Sequence, residues 1–306
     1  MKLISIIIPV FNESAGIESF YSCIREILSL FEYEFELIFV NDGSSDDTLQ
    51  KLKNIKKTDN KVIIIDLSRN FGKEAALTAG IQFCKGDAAI PMDADMQDPP
   101  ELISKLIAEW EKGYQMVLAK RIDRSSDTLA KRTTASIFYK IHNKISDVKI
   151  PENVGDFRLI DRDVINAING ISENQRFMKG IFAWVGFESS VVTYERSPRS
   201  AGKSSFNFWK LWNLAIQGVT SFSTIPLRVW FYAGMIVAFS SFAYGIGLIF
   251  YTLLTGIKVP GYASLITVIL FSSGIQLIGI GILGEYIGRI YMESKKRPSY
   301  IIKDII

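Results

Sequence analysis

The sequence predicts an α/β domain built on a mostly parallel sheet, followed by a two-helix membrane hairpin. Two observations carry that reading. Apolar, β-rich runs alternate with helical patterns from Leu3 to Ile145, and two long C-terminal stretches, 229–257 and 259–284, hold no charged residue. With 306 residues the chain is long enough for one sizeable domain and an appendage. A formal net charge of +3 provides no basic field of the kind nucleic-acid binding uses.

The first run, Leu3–Val10, follows Lys2 and imitates a signal peptide, with Ser14-Ala15-Gly16 as a small-residue cleavage site. It is short, contains Pro9 and meets Glu13 almost at once, so a buried strand fits it better. Further strands are expected at Phe35–Val40, Lys61–Asp66, Ala88–Met92 and Met116–Ala119. Helices are expected at Ser14–Leu30, Asp46–Lys56, Lys73–Phe83, Pro100–Glu111 and Asp127–Ile145. Strands and helices alternating at this spacing imply a sheet with helices on both faces. Cys23 and Cys84 are far apart and outside any C-x-x-C pair, so they read as inert or buried thiols. The single His, His142, reads as a surface or loop residue.

The domain is expected to span 1–204. Each uncharged stretch beyond it exceeds the ~20 helical residues that cross a bilayer core. The hairpin is placed at 228–286, with helices at about 229–254 and 262–284. Lys258-Val259-Pro260-Gly261 is the link, and 287–306 is a tail. Lys210 and Arg228 precede the hairpin; Arg289, Lys295, Lys296 and Arg297 follow it. The positive-inside rule then puts both termini and the whole domain in the cytosol, with Lys258 outside. Gly274, Gly279, Gly281 and Gly284 permit close helix contacts. In the segment 205–227, Phe206, Trp209, Trp212, Ile216 and Val219 recur at helical spacing. That pattern suits a helix in the headgroup layer, or alternatively one packed on the domain.

Ligands of such sheets bind beyond the carboxyl ends of the strands. Pro9, Phe11, Asn12 and Glu13 follow the first strand; Asn41-Asp42-Gly43-Ser44-Ser45-Asp46 end the second. Ser68-Arg69-Asn70-Phe71-Gly72-Lys73 follow the third, and Asp93-Ala94-Asp95-Met96-Gln97-Asp98-Pro99-Pro100 the fourth. Any one of these could be a turn or cap, and Ser14 and Asp46 read as caps. Four together read as a site. Asp93 and Asp95, two residues apart with a small Ala94 between, can direct carboxylates at one Mg²⁺ or Mn²⁺ bridging to substrate phosphates, and Gln97 can add an amide oxygen. No G-x-x-x-x-G-K-[ST] loop occurs, and no G-x-G-x-x-G follows the first strand; both disfavour a P-loop NTPase and a dinucleotide oxidoreductase.

The runs Ile8-Pro9-Val10-Phe11-Asn12-Glu13, Val40–Asp46 and Asp93–Pro100 resemble the inverting family 2 glycosyltransferases of the GT-A fold, and among them the polyprenyl-phosphate glycosyltransferases related to dolichol-phosphate mannose synthase. Leu67–Glu74, Gly155–Leu159, Arg176-Phe177 and the paired spans look closest to the bacterial bactoprenol glucosyltransferases of O-antigen modification. The resemblance implies that Pro9, Phe11, Glu13 and Asp42 hold the base and ribose, that Asp93 and Ala94 lie along the nucleotide with Asn70 and Lys73, and that Asp95 and Gln97 carry the metal. Asp156 matches the family's proposed catalytic Asp. Arg121, Arg132 and Ser136 fall near positions where relatives hold a lipid phosphate, and Lys131 is a further cation that could help hold it. Arg199, Gly202 and Ser204 match a loop closing on the diphosphate; the family's usual Lys after that Ser is Ser205 here, with Lys203 as a substitute.

The implied activity is transfer of a hexose, most simply glucose from UDP-glucose, to undecaprenyl phosphate at the cytosolic face of a bacterial inner membrane. A tetramer is implied as well. Mannose, galactose, N-acetylglucosamine and aminoarabinose remain open as sugars. A processive synthase would need more spans and a Q-x-x-R-W motif, which Gln175-Arg176-Phe177 does not match. A non-catalytic nucleotide-binding membrane subunit is the rival from another class.

Overall fold

The computed structural model describes residues 2–122, 143, 148–174, 176–195, 223–256 and 261–306. Described residues up to 195 and from 297 onward form one compact unit, and those from 223 to 296 a second.

The first unit is built on an eight-stranded sheet. Its strands are β1 (Leu3–Val10), β2 (Glu34–Asn41), β3 (Val62–Leu67), β4 (Ala88–Pro91), β5 (Met116–Arg121), β6 (Val154–Asp161), β7 (Ser189–Tyr194) and β8 (Ile302–Ile305), in the order β7-β5-β6-β4-β1-β2-β3-β8. β1 pairs in parallel with β2 and β4, β2 with β3, and β5 with β7. β6 runs antiparallel to β4 and β5, and β8 antiparallel to β3. One edge of the sheet therefore collects the carboxyl ends of β1 to β5 and β7 together with the first residues of β6 and β8. The central strands are buried along nearly their whole length, as strands covered on both faces must be.

The helices are α1 (Ile17–Leu28), α2 (Thr48–Thr58), α3 (Lys73–Phe83), α4 (Ile103–Glu111, after a 3₁₀ turn at Pro100–Leu102), α5 (Arg162–Asn169) and α6 (Met178–Trp184). α1 buries Ile17, Phe20, Ile24 and Leu28, a stripe at three- and four-residue steps. With residues of α2 and α4 it packs on Phe39, Ile90 and Phe157. α3 differs, because every residue from Ala75 to Ile81 is buried. Its Gly80 lies so close to β1 that a Cβ would stand 2.2 Å from Ile7 Cγ2.

The expected strands and helices of the first 122 residues are present, with shifted ends at α1 and α2, and the helix expected at Asp127–Ile145, like His142, lies outside the described residues. α1 begins at Ile17, not Ser14, because the N–H groups of Gly16 and Ile17 both turn back to the Glu13 carbonyl, at 3.1 Å each. The Ser14 N–H is bound instead by Asp46 Oδ2 at 3.1 Å. β6, β7 and β8 were not foreseen. The 287–306 tail ends as a strand: Ser68 N–H donates to Ile301 O, and Ile64 and Ile306 exchange two bonds, all at 2.9 Å. This covers the edge that β3 would otherwise leave unpaired.

The second unit holds α7 (Ile225–Thr255) and α8 (Tyr262–Ser294), of 31 and 33 residues, both longer than the expected spans. Residues 225–251 are long and apolar enough to cross a membrane, with mean hydropathy 1.8. Gly279 admits Trp230: a Cβ there would stand 1.9 Å from the indole Nε1, so only glycine lets the helices approach at that point. Gly274, Gly281 and Gly284 have nothing within 4 Å. Lys258 and the 206–222 stretch lie outside the described residues.

Candidate active site

The carboxyl edge is organised by side chains that tie one loop to the next. Asn12, at φ 55°, accepts the Ser45 N–H at 2.8 Å and donates its own N–H to Ser44 Oγ at 3.0 Å. Glu13 N–H reaches Thr48 Oγ1 at 2.9 Å. Asp46 accepts from Thr48 N–H at 3.0 Å; burial opposes its charge, but hydrogen bonds from Thr48 and Ser14 hold the carboxyl at about 2. Neither expected cap precedes its helix, since Asp47 stands before α2 and Gly16 before α1; Asp46 instead ties the two loops together by accepting from Thr48 and Ser14. Asp42 is buried, and its two oxygens accept the N–H groups of Phe71 and Gly72 at 2.7 and 2.9 Å. Burial raises its pKa, against those two bonds. The β2 loop lies against the β3 loop so tightly that a Cβ on Gly43, at φ +64°, would meet the Arg69 carbonyl carbon at 2.4 Å.

The centre of the edge is a charge cluster. Lys73, the first residue of α3, places Nζ 2.6 Å from Asp93 Oδ1 and 2.7 Å from Asp156 Oδ2. Asp93 lies two residues beyond β4, and Asp156 is the third residue of β6. They meet because β6 lies beside β4 in the reverse direction, which returns its start to the edge where β4 ends. Burial opposes the Lys73 charge, but Asp156 and Asp93 hold it protonated well above the usual lysine range. Burial likewise opposes ionisation of Asp156, and Lys73 and then Lys179 hold that carboxyl well below the usual carboxylate range. Among the described residues, the buried Asp156 Oδ1 finds no hydrogen-bond partner. Beside it, Glu74 accepts the Met178 N–H at 2.9 Å; burial and the Asp156 charge both push its pKa up.

The Asp93–Asp98 loop turns through Met96 at φ 57°, and Asp95 Oδ1 accepts the Gln97 N–H at 3.1 Å. Buried Asp98 anchors the loop to the end of β7 by accepting from Tyr194 Oη at 2.5 Å. Among the described residues no group of three or more His, Cys, Asp or Glu gathers as a metal cage. Two carboxylates and an amide, all oxygen donors, nevertheless fit Mg²⁺ or Mn²⁺, which take one or two carboxylates plus substrate phosphates. Asp93 already binds a cation here, the Lys73 ammonium.

Of the residues singled out by sequence, Lys73, Asp93 and Asp156 come into contact. Pro9, Phe11 and Glu13 line the end of β1, with Phe11 45% exposed and available for stacking. Ala94 is buried and Asn70 is exposed on the loop that Asp42 holds. Arg121 ends β5, where its N–H donates to Asn153 O at 3.0 Å. Lys131, Arg132, Ser136, Arg199, Gly202, Lys203 and Ser204 lie outside the described residues. Sequence reading missed Glu74, Arg158 and Lys179. Glu74 had a signal, being a carboxylate that opens a helix otherwise buried all round.

The profile of Glycosyl transferase family 2 matches residues 5–168, and that of the GtrB C-terminal hairpin matches residues 225–290. The chain is 56% identical over 301 residues to the bactoprenol glucosyl transferase of Shigella phage SfV, covering 98% of each chain. It is 54% identical over 302 residues to the prophage bactoprenol glucosyl transferase homolog of Escherichia coli (strain K12), covering 99% of each. It is 44% identical over 302 residues to the putative glycosyltransferase CsbB of Bacillus subtilis (strain 168), covering 99% of this chain and 92% of that one.

Proposed function

The chain belongs to glycosyl transferase family 2, and on that footing we propose that it transfers glucose from UDP-glucose to undecaprenyl phosphate at the cytosolic membrane face, with inversion. The observation that carries this reading is an acidic sheet edge, where Asp93 and Asp156 share one cation, in a chain that also bears two long apolar helices. Similarity along nearly the full length to bactoprenol glucosyl transferases supports the sugar and the lipid.

In this reading a phosphate oxygen of the acceptor attacks the anomeric carbon as its bond to the nucleoside diphosphate breaks. A phosphomonoester has a second pKa of about 6, so near neutral pH the nucleophile needs no base. It also brings no proton for Asp156 to accept. The buried Oδ1 of Asp156 is then best matched to a hydroxyl of the sugar, and its depressed pKa suits a fixed acceptor better than a proton carrier. Asp95, Asp93 and Gln97 would hold Mg²⁺ or Mn²⁺, which when bound supplies Lewis-acid stabilisation of the leaving diphosphate. Lys73 would then be released from Asp93 toward the same phosphates, with Arg199 and Lys203 as further cations. Pro9, Phe11, Glu13 and Asp42 would border the uridine. Two anions must meet, so Arg121, Lys131 and Arg132, with Ser136, would grip the acceptor phosphate. The hairpin would keep the enzyme where that headgroup resides, as a two-span inner-membrane protein.

The test is a donor screen with purified full-length protein, undecaprenyl phosphate and Mn²⁺ or Mg²⁺. UDP release with glucose in the lipid phase, from UDP-glucose above all other donors, is expected. Equal turnover of several nucleotide-sugars would remove the glucose assignment. Failure with every donor would remove the activity.

A further inference from the structure

The run from Met92 to Asp98 alternates in burial. Met92, Ala94 and Asp98 are buried, and Asp93, Asp95 and Gln97 between them are half-buried. The three half-buried side chains are the oxygen donors matched above to a divalent cation. The inward residues therefore decide how those donors are presented. Met92 and Ala94 are held by apolar packing: both belong to the core cluster that includes Phe157 and Tyr194, and Met96 packs against it. Asp98 has no such option. A buried carboxylate is costly unless hydrogen bonds compensate it. One of its donors is the Tyr194 hydroxyl, 2.5 Å from Oδ1.

Tyr194 is itself fixed from three sides. It is buried and is the last residue of β7, paired in register with Arg121 of β5. Its carbonyl accepts the Ile122 N–H at 2.9 Å. Its ring meets Phe157 edge-on, with the centroids 6.4 Å apart. Phe157 follows Asp156 on β6. One residue thus joins the exit of β5, the strand that carries Asp156 and the end of the Asp93–Asp98 loop. All three are remote from it in sequence.

We propose that Tyr194 is a positioning residue for the divalent cation: by fixing Asp98 it keeps Asp93, Asp95 and Gln97 on the open side of their loop and in a constant relation to Asp156. The proposal rests on the metal reading above and adds the residue that holds the ligands in place. Without the hydroxyl, the buried Asp98 must turn toward another donor or toward water. Gln97 is its chain neighbour and moves with it. Removing a hydrogen bond that supports metal ligands typically costs roughly ten- to a hundredfold in metal affinity.

The experiment uses full-length protein in nanodiscs, with Mn²⁺ and UDP as probes. UDP binding is followed by calorimetry over a range of Mn²⁺ concentrations, alongside thermal unfolding. Tyr194→Phe keeps the ring on Phe157 and removes only the hydroxyl. It is expected to raise the Mn²⁺ concentration that half-saturates UDP binding by about tenfold or more, and to leave metal-free UDP binding unchanged. Asp98→Ala should produce a similar rise, and Asp98→Asn, which keeps an oxygen for the tyrosine, a smaller one. In the Asp98→Ala background Tyr194→Phe should add little, because residues that act as a pair are not additive. A lower melting temperature in Tyr194→Phe with an unmoved Mn²⁺ requirement would overturn the proposal, leaving the bond a purely structural one. Full additivity of the two substitutions would overturn it as well. UDP binding that ignores Mn²⁺ in the wild type would defeat the metal reading, and the proposal with it.

Discussion

The Lys73 ammonium stands 2.7 Å from Asp156 and joins it to Asp93, so a single helix-starting lysine couples the end of β4 to the start of β6. Against burial, the Asp156 carboxyl is held well below the usual carboxylate range first by this lysine and then by Lys179, and Asp93 is expected to exchange the lysine for a metal. Lys73→Met should therefore lower kcat/KM by roughly ten- to a hundredfold, the worth of one charge-assisted bond. Lys73→Arg should restore only part, since a planar fork replaces a point charge between two carboxylates. Steady-state kinetics on both variants checks this, and near-wild-type turnover of Lys73→Met would separate the ion pairs from catalysis.

Asp95→Asn should reduce turnover by about a hundredfold or more while leaving the protein folded and in the membrane fraction. Asp95 accepts the Gln97 N–H through Oδ1, and the Asn carbonyl can keep that bond while the charge is lost. Activity with and without added Mn²⁺, alongside thermal unfolding, distinguishes loss of a metal ligand from loss of the loop. Metal-dependent activity near the wild-type level would refute the assignment.

Glu74 gives a pH dependence with a definite sign. Its folded pKa is raised above the ordinary 4.5, first by burial and then by Asp156. A raised carboxyl favours the protonated form in the fold. Its contribution is complete below the ordinary value and is lost as pH rises through the folded value. Glu74→Gln keeps an oxygen for the Met178 N–H and carries no charge. Its melting temperature should match wild type near pH 4 and exceed it by a few degrees at about pH 9. A gap that does not widen with pH would mean that Glu74 is not strained by ionisation.

Topology follows from the charges around the hairpin. In a background with Cys23 and Cys84 replaced, a cysteine at position 258 should react with a membrane-impermeant maleimide added to intact cells. A cysteine at position 299 should react only after lysis. Labelling of position 299 from outside would invert the assigned orientation.

The part of the fold legible in the sequence is the part where local pattern and burial agree. β1 to β5 are continuous apolar runs punctuated by polar loops, and the Asp93–Pro100 run marks the site edge by its chemistry alone. β6 was harder to read, because Gly155-Asp156 and Arg158 interrupt its apolar pattern. β8 has four residues and depends on β3, 235 positions earlier at the Leu67–Ile302 pairing, for its structure. The Lys73–Asp156 contact was also hidden: both residues were named separately, but their meeting depends on β6 inserting antiparallel beside β4, which no local signal records. Lys179 reads in sequence as one more lysine on a short helix, and only the fold brings its charge to bear on Asp156 and Glu74.

The central claim is inverting transfer of glucose to a lipid phosphate at the Lys73–Asp156 edge, and the configuration of the product tests it most directly. Purified protein would be given UDP-α-glucose and a short prenyl phosphate, and the anomeric proton and phosphorus couplings of the extracted glycolipid read by NMR. The account predicts a β-glucosyl phosphodiester, formed by wild type and lost in Asp156→Ala. An α-linked product, or undiminished product from Asp156→Ala, would contradict it.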